Sequence, residues 1–448
     1  MLTDRHNGLH STVEQTAVSS FDAAVTELLA HRPNVMPHLD AALAADPDHI
    51  ASLALKGFGS VLLARSEHVA SARVMAARLK ALTDRRRPTA FEAALVAALD
   101  LASRGAWRDA TSVLQQRLAE CPIDLLSLKL VHALRFMSGD ASGMLASTAS
   151  VLDAWSAAAP GYGFMLGCHA FALEEHCLYE SAERTARIAL AHEPGDAWAL
   201  HALAHVHVMQ GRFMEGFDWL DATKPVWSGC NNFRFHLIWH GALLHLARGD
   251  ADRALAIYDA DLRPHLADDF RDLANASSLL WRLRQEGMDV RDRFEELHGF
   301  ASARAQDTTL VFASLHHLLT MAACGDAGGA SEIVAALVRR GARPDGDQAA
   351  VAADAGLDLA RVILSLAQNG ATRPDLGRLA QRAQCIGGSN EQRDVFLRTL
   401  ALMAADAGDA RNAGAILDLR RRMKREQQFA TLAERRLAET LDSHRVVA

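Results

Sequence analysis

Histidine is the residue type with the most chemical promise in this chain. There are 21 His among 448 residues, and nine of them fall between residues 165 and 245: His169, His176, His192, His201, His205, His207, His236, His240 and His245. Imidazole titrates near neutrality, ligates metals and transfers protons, so a local concentration of it is a functional signal. Two segments are sharpest. HALAHVH sets His201 and His205 four apart, and FRFHLIWH sets His236 and His240 four apart. On a helix, residues i and i+4 share a face, so each pair offers two imidazoles to one point. Glu174 and Glu175 lie just upstream. Imidazoles with a carboxylate are the ligand set of a zinc or iron site, and equally an acid–base set for hydrolysis or proton transfer. The catalytic candidates are therefore His201, His205 and Glu174, and the candidate ligands of a divalent metal are His201, His205 and His236. No H-E-x-x-H motif is present to decide between a metal and histidines that merely satisfy packing. Trp198, Trp219, Trp227, Phe233, Phe235 and Trp239 crowd into 42 residues of a chain that is only 6% aromatic. Most of these read as packing; Trp198 and Trp239 are candidates to wall an apolar pocket.

The elements that position these residues follow from composition and period. Half of the chain is apolar, mostly Ala and Leu, and Tyr occurs three times. That mixture disfavours pleated sheets and favours close-packed helices, so the expected fold class is all-α. A five-residue step from a turn residue to a packing residue recurs at Gly105/Ala110, Gly139/Met144, Cys177/Ala182, Gly211/Gly216, Gly249/Ala254, Gly287/Asp292, Gly325/Ala330, Gly370/Asp375 and Gly408/Ala413. Successive packing positions from Ala110 to Ala330 are 34 or 38 residues apart. Such a period is that of stacked helix pairs, with one helical turn added in the longer units. Asp292 and Asp375 are misfits at a packing position. Pro122, Pro160, Pro194, Pro225 and Pro264 are expected at unit edges. The chain then reads as a strongly curved tetratricopeptide-like helical-hairpin solenoid of about nine to eleven helix pairs. Residues 1–330 form the regular part and 331–448 a degenerate continuation.

This period assigns directions. In a tetratricopeptide pair, first-helix positions near 2, 5, 9 and 12 line the concave groove. With Gly211 at position 15, Trp198, His201 and His205 face the groove; with Gly249 at 15, His236 does, with His240 beside it; with Cys177 at 15, Glu174 does. The expected binding set is Glu174, Trp198, His201, His205, His236, Trp239 and His240, around a small molecule or a peptide terminus. His316 or His317 joins it if the superhelix curls tightly. His10, His31, His68 and His444 are scattered and receive no role.

Charge and targeting narrow the partners. A net charge of −7 gives no general attraction to nucleic acid. The run Arg420–Arg425, with Glu426, Glu434 and Glu439 after it, reads as a solvated helix face. No apolar run of membrane-spanning length occurs, the first twenty residues lack a signal-peptide core, and the six Cys form no C-x-x-C pair, so a cytoplasmic protein with reduced thiols is expected.

The stretch AFALEEHCLYESAERTARIALAHEPGDAWALHALAHVHVMQGRFMEGFDWL, with NNFRFHLIWHGALLHLARGDADRALAIYD after it, resembles the tetratricopeptide repeat protein 38 family of bacteria and animals, as its bacterial members would read. The similarity covers roughly residues 8–330. The family's His-x-x-x-His and Gly-Arg elements match His201, His205, Gly211 and Arg212, and its Phe-His and Trp-His elements match Phe235-His236 and Trp239-His240. Val208 stands where that pattern has Glu. The resemblance implies a closed or strongly curved helical solenoid and supplies no agreed activity. Three function classes follow: a His-lined groove that binds a small molecule or peptide, a hydrolase or lyase using the same His/Glu cluster, and an interaction scaffold without a pocket.

Overall fold

A computed structural model describes residues 1–368 and 374–447. The turn glycine expected at Gly370 lies outside the described residues. Among these, the chain is helical almost throughout, the exception being an antiparallel pairing of Leu2–Thr3 with Leu9–His10.

Eight of the described helices end just before one of the expected turn residues, which turns left-handed. Gly105, Gly139, Gly211, Gly249, Gly287, Gly325 and Gly408 have φ between 66° and 94°, and Cys177 adopts 59° in the corresponding place. At these ends the N–H beyond the turn reaches back to satisfy a carbonyl of the preceding helix. Leu178 N–H donates to Leu173 O at 3.0 Å, Asp140 N–H to Arg135 O at 2.9 Å, and Asp250 N–H to His245 O at 2.9 Å. This six-to-one closure needs a left-handed residue, which glycine adopts without steric cost. Five residues on, Ala110, Ala182, Ala254 and Ala330 are fully buried, so the second helix of each pair lies close against the first.

Two positions depart from that spacing. After Gly287 the next helix begins at Arg291, four residues on, whereas after Gly105 it begins at Trp107, two residues on. The frame slips by two, Asp292 is exposed, and Phe294 takes the buried place. Asp375 does not pack either; it caps the helix Leu376–Arg382 by accepting from Arg378 N–H at 2.9 Å. Pro225 lies inside the last turn of the helix Phe213–Trp227 rather than at an edge.

The chain divides into two compact units. The first comprises Met1–Leu203, Thr223–Arg234 and Asp345–Asp347. Its N-terminal hairpin is anchored by a buried polar chain. His10 Nε2–H donates to Asp4 Oδ2 at 2.9 Å, His10 Nδ1 lies 3.0 Å from His49 Nε2, and His49 Nδ1 lies 2.7 Å from Ser52 Oγ. His10, expected to be without a role, is thus the link between the hairpin and the helix Ile50–Leu62.

The second unit comprises Ala204–Ala222, Phe235–Pro344 and the chain from Gln348 onward. It is closed by a buried ion network that joins Phe270–Gln285, Asn390–Asp406, Ala410–Met423 and the segment after it. Arg420 bonds Asp394 and Glu426, each at 2.6 Å; Arg398 bonds Glu286 at 2.6 Å and Glu426 at 3.3 Å; Lys424 Nζ lies 2.8 Å from Glu391; and Arg282 lies 3.8 Å from Glu391. Counted residue by residue, Arg282, Arg398, Arg420 and Lys424 balance Glu286, Glu391, Asp394 and Glu426. Burial alone raises the Glu426 and Asp394 carboxyls, but the adjoining cations outweigh it and hold both below their ordinary values. The solvated face expected of Arg420–Arg425 is therefore corrected: Arg420 and Lys424 are buried, and only Arg421, Arg422 and Arg425 reach solvent.

Two outcomes follow. Replacing Cys177 by Gly relieves a left-handed residue with a β-carbon and raises unfolding free energy by about 1 kcal/mol in urea titration; a loss instead would show that the Cys177 side chain outweighs its backbone strain. Glu426→Gln leaves Arg420 and Arg398 with an unbalanced buried charge and lowers stability by about 3–5 kcal/mol. An unchanged urea midpoint would mean that the network is solvated.

Candidate functional site

The strongest constellation lies in the second unit. The helix Ala197–Met209 brings His205, and the helix Phe233–Ala247 brings His236 and His240 one turn apart. One ligating atom from each of these three rings lies within 4.8 Å of the others. His236 Nε2 and His240 Nε2 are 3.3 Å apart, and the His205 and His240 rings meet edge to face at 4.5 Å. His205 and His240 are fully buried, and His236 is 9% exposed.

The protonation pattern is set by what surrounds them. Asn275 Oδ1 lies 3.1 Å from His236 Nδ1 and accepts its proton, so His236 turns the lone pair of Nε2 towards His240. Burial, then the nearby His205, pushes His236 down to about 3, against a smaller upward pull from the Asn275 hydrogen bond. His240 is driven well below its ordinary value by burial first, then by His205, His236, Lys424 and Arg282. At neutral pH these two rings are uncharged, which is the form that ligates metal. Trp239 stacks on His236 with centroids 5.2 Å apart, and the Arg282 guanidinium lies 5.6 Å from the Trp239 ring centroid. The buried Trp239 Nε1–H has no hydrogen-bond partner among the described residues. Asn275 also lines a narrow cleft, with Phe235, His265 and Asp272, that has room for about one water molecule.

The first unit holds the other candidates. Glu174 is fully buried, and its carboxylate lies within 4.8 Å of that of Glu175. Trp198 and His201 sit in an aromatic nest. Trp198 packs against Phe171 at 4.7 Å, His201 at 5.0 Å and His31 at 5.4 Å, and His31 stacks on Phe233 at 4.4 Å. Trp198 Nε1–H donates to His132 Nε2 at 3.1 Å, and Lys129 Nζ stands 4.6 Å from the Trp198 ring centroid. Burial pushes His132 well down, with Lys129 adding to the effect, and burial raises the adjoining Asp196 to about 7 despite Lys129 and the Trp198 and Ala199 N–H groups. The indole expected to wall a pocket is therefore buried among rings, and His31, expected to be without a role, belongs to its packing.

The structure thus brings His205, His236 and His240 together within one unit, while Glu174, Trp198 and His201 belong to the other. His316 turns elsewhere: its Nδ1–H donates to Phe312 O at 2.8 Å and its ring packs on Phe396 at 5.1 Å. Lys129, His132 and Asn275 escape sequence reasoning. Lys129 and His132 carry one usable signal, because they are polar residues spaced i, i+3 on the stretch LLSLKLVHAL, which apart from them and Ser127 is apolar. No protein-family model matches the chain.

Burial of neutral imidazoles has a measurable sign. His49, His236 and His316 are pushed to about 3 and His317 to about 4, chiefly by burial. The unfolded chain takes up these protons near pH 6.5 and the native chain does not. The stability from these groups is whole above pH 6.5 and falls as pH drops towards 4, by up to about 1.4 kcal/mol per pH unit for each histidine. Urea unfolding at pH 7.5, 6.0 and 5.0 checks this; equal free energies would show that these rings protonate in the folded state.

Proposed function

We propose that this chain is a helical-hairpin repeat protein of tetratricopeptide type whose second unit carries a divalent-metal centre on His205, His236 and His240, completed by an atom of a small molecule or peptide terminus. The observation that carries the reading is the 3.3 Å between His236 Nε2 and His240 Nε2. Two nitrogens on a tetrahedral zinc ion, each about 2.0–2.1 Å from it, stand about 3.3–3.4 Å apart. Three imidazoles, one of them oriented by Asn275, form a donor set of the catalytic type, with one position left for a ligand.

A metal held there would polarise a ligand oxygen or acidify a water. Trp239 and the apolar surroundings exclude bulk water, and Asn275 fixes the His236 ring. The hydrolase or lyase alternative uses these same residues. The cations nearest His240, Lys424 and Arg282, are each paired with Glu391. The repeat reading rests on the left-handed turns and the buried small residues that follow them. No described helix is long and apolar enough to cross a membrane, and a net charge of −7 supports a reading without nucleic acid as partner.

Elemental analysis of the full chain, purified without a histidine tag, decides the metal. About one divalent ion per chain is expected. His236→Ala and His240→Ala should each lose it while retaining the helical circular-dichroism spectrum. Less than about 0.2 ion per chain after incubation with zinc and desalting would overturn the metal centre.

A further inference from the structure

Beyond the imidazole trio, the second unit builds a cleft whose lining is entirely cationic, amide or apolar. The helix Ala197–Met209 turns at Gly211 into Phe213–Trp227, and Phe233–Ala247 turns at Gly249. Across both turns lies the strap between Met423 and Gln428. Arg425 N–H donates to Met209 O at 2.7 Å, a β-carbon on Gly211 would stand 2.5 Å from Arg425 O, and one on Gly249 would stand 3.4 Å from Gln428 Oε1. The strap is therefore held by its backbone, in contact that only glycine permits at residue 211.

Between strap and turns is a cleft of about 440 Å³ lined by Arg248, Arg425, Gln210, Gln427, Gln428 and Phe213, among others, and no acidic residue lines it. Arg248 and Arg425 are both exposed. The Arg248 guanidinium points at the Met214 thioether, 3.6 Å away, and among the described residues no ion pair involves Arg425. In a chain where arginines are paired again and again, two arginines lining one cleft that has no carboxylate in its lining are an exception. Two helices also begin at lining residues, Phe213 and Gln428. The first N–H groups of a helix lack internal acceptors, and its dipole favours an anion there. Two guanidiniums, three side-chain amides and two helix starts make a donor set for a multiply charged oxyanion. The volume exceeds that of bare phosphate and falls in the range of small-molecule pockets, about 300–1,000 Å³. The part-exposed Phe213 ring offers an apolar wall to the rest of the molecule.

We infer that this cleft binds the phosphate group of a phosphorylated small molecule, with Arg248 and Arg425 as its cationic clamp. Loss of either clamp residue leaves the strap in place, because Arg425 is tied through its backbone.

Calorimetric titration of the full chain at low salt, with inorganic phosphate and with adenosine monophosphate as probes, tests this. Both probes should bind, the nucleotide more tightly. R248Q and R425Q should each weaken binding by about tenfold, the scale of one lost charge-assisted hydrogen bond. R422Q, which removes an exposed arginine outside the cleft, should leave it unchanged. No heat from either probe at millimolar concentration would overturn the inference, as would equal weakening by R422Q. Binding abolished by chelator but insensitive to both clamp variants would also overturn it and assign the anion to the imidazole trio.

Discussion

The left-handed residue at the end of the first helix in the described pairs is the constraint on which the rest depends. A helix that closes with a six-to-one hydrogen bond leaves its last turn satisfied and sends the chain back at a fixed angle, so a second helix meets the first after a few residues. The buried alanines five residues later then set how closely the pair approaches. At Gly211 and Gly249 the same device gains a further consequence. A turn without a β-carbon is flat enough for another segment to lie on it, and the strap carrying Arg425 does so. One local requirement thus decides hairpin geometry, where the C-terminal helix docks, and the walls of the cationic cleft.

Charge inside the second unit is managed by pairing rather than by exclusion. Burying one carboxylate or guanidinium alone costs several kcal/mol, so an ion network at this depth holds only when its members balance. It also reaches the imidazole trio. Arg282 donates to Glu391 O at 2.7 Å and faces the Trp239 ring, which in turn stacks on His236. The network therefore meets the site through an aromatic intermediary, and its Lys424 and Arg282 cations help hold His240 below its ordinary value. His236 and His240 stay neutral mainly because they are buried, and a neutral imidazole keeps the lone pair that metal or proton chemistry requires.

Some of this was legible in the sequence and some was not, for reasons that differ by residue. The turn positions were legible because their cause is local: a left-handed φ favours glycine, and period follows from repetition. Even Cys177 takes the turn place that the frame of the following helix, with Ala182 as its packing residue, assigns to it, and its φ is 59°. The i, i+4 pairing of His236 with His240 was legible for the same reason. The frame after Gly287 was not, because two inserted residues before Arg291 shift the packing position of that one helix while leaving the glycine unchanged, and Gly325 with Ala330 returns to the five-residue step. The run Arg420–Arg425 misled, since a helix shows its own sequence and not the carboxylates on Asn390–Asp406 that meet one of its faces. His10 and His31 looked scattered because their partners, Asp4 and His49 in one case and Trp198 and Phe233 in the other, are set by tertiary packing.

Lysine usage makes the same point from composition. The chain has five lysines, Lys56, Lys80, Lys129, Lys224 and Lys424, against a large excess of arginine. Two of the five are buried, Lys129 and Lys424. A guanidinium is a broad planar fork suited to bidentate pairing, whereas an ammonium is a compact charge with three donors on a flexible stem. Lys424 uses that compactness: its Nζ lies 2.9 Å from one Glu391 oxygen, 2.8 Å from the other, and 3.6 Å from Glu426. A fork would have to choose one carboxylate plane. At Lys129 the same head group stands over the Trp198 face, beside an indole whose N–H is already committed to His132. In a chain that otherwise selects arginine, a buried lysine marks a place where the cation must fit a point rather than a plane, and both such places adjoin a histidine pushed down by burial.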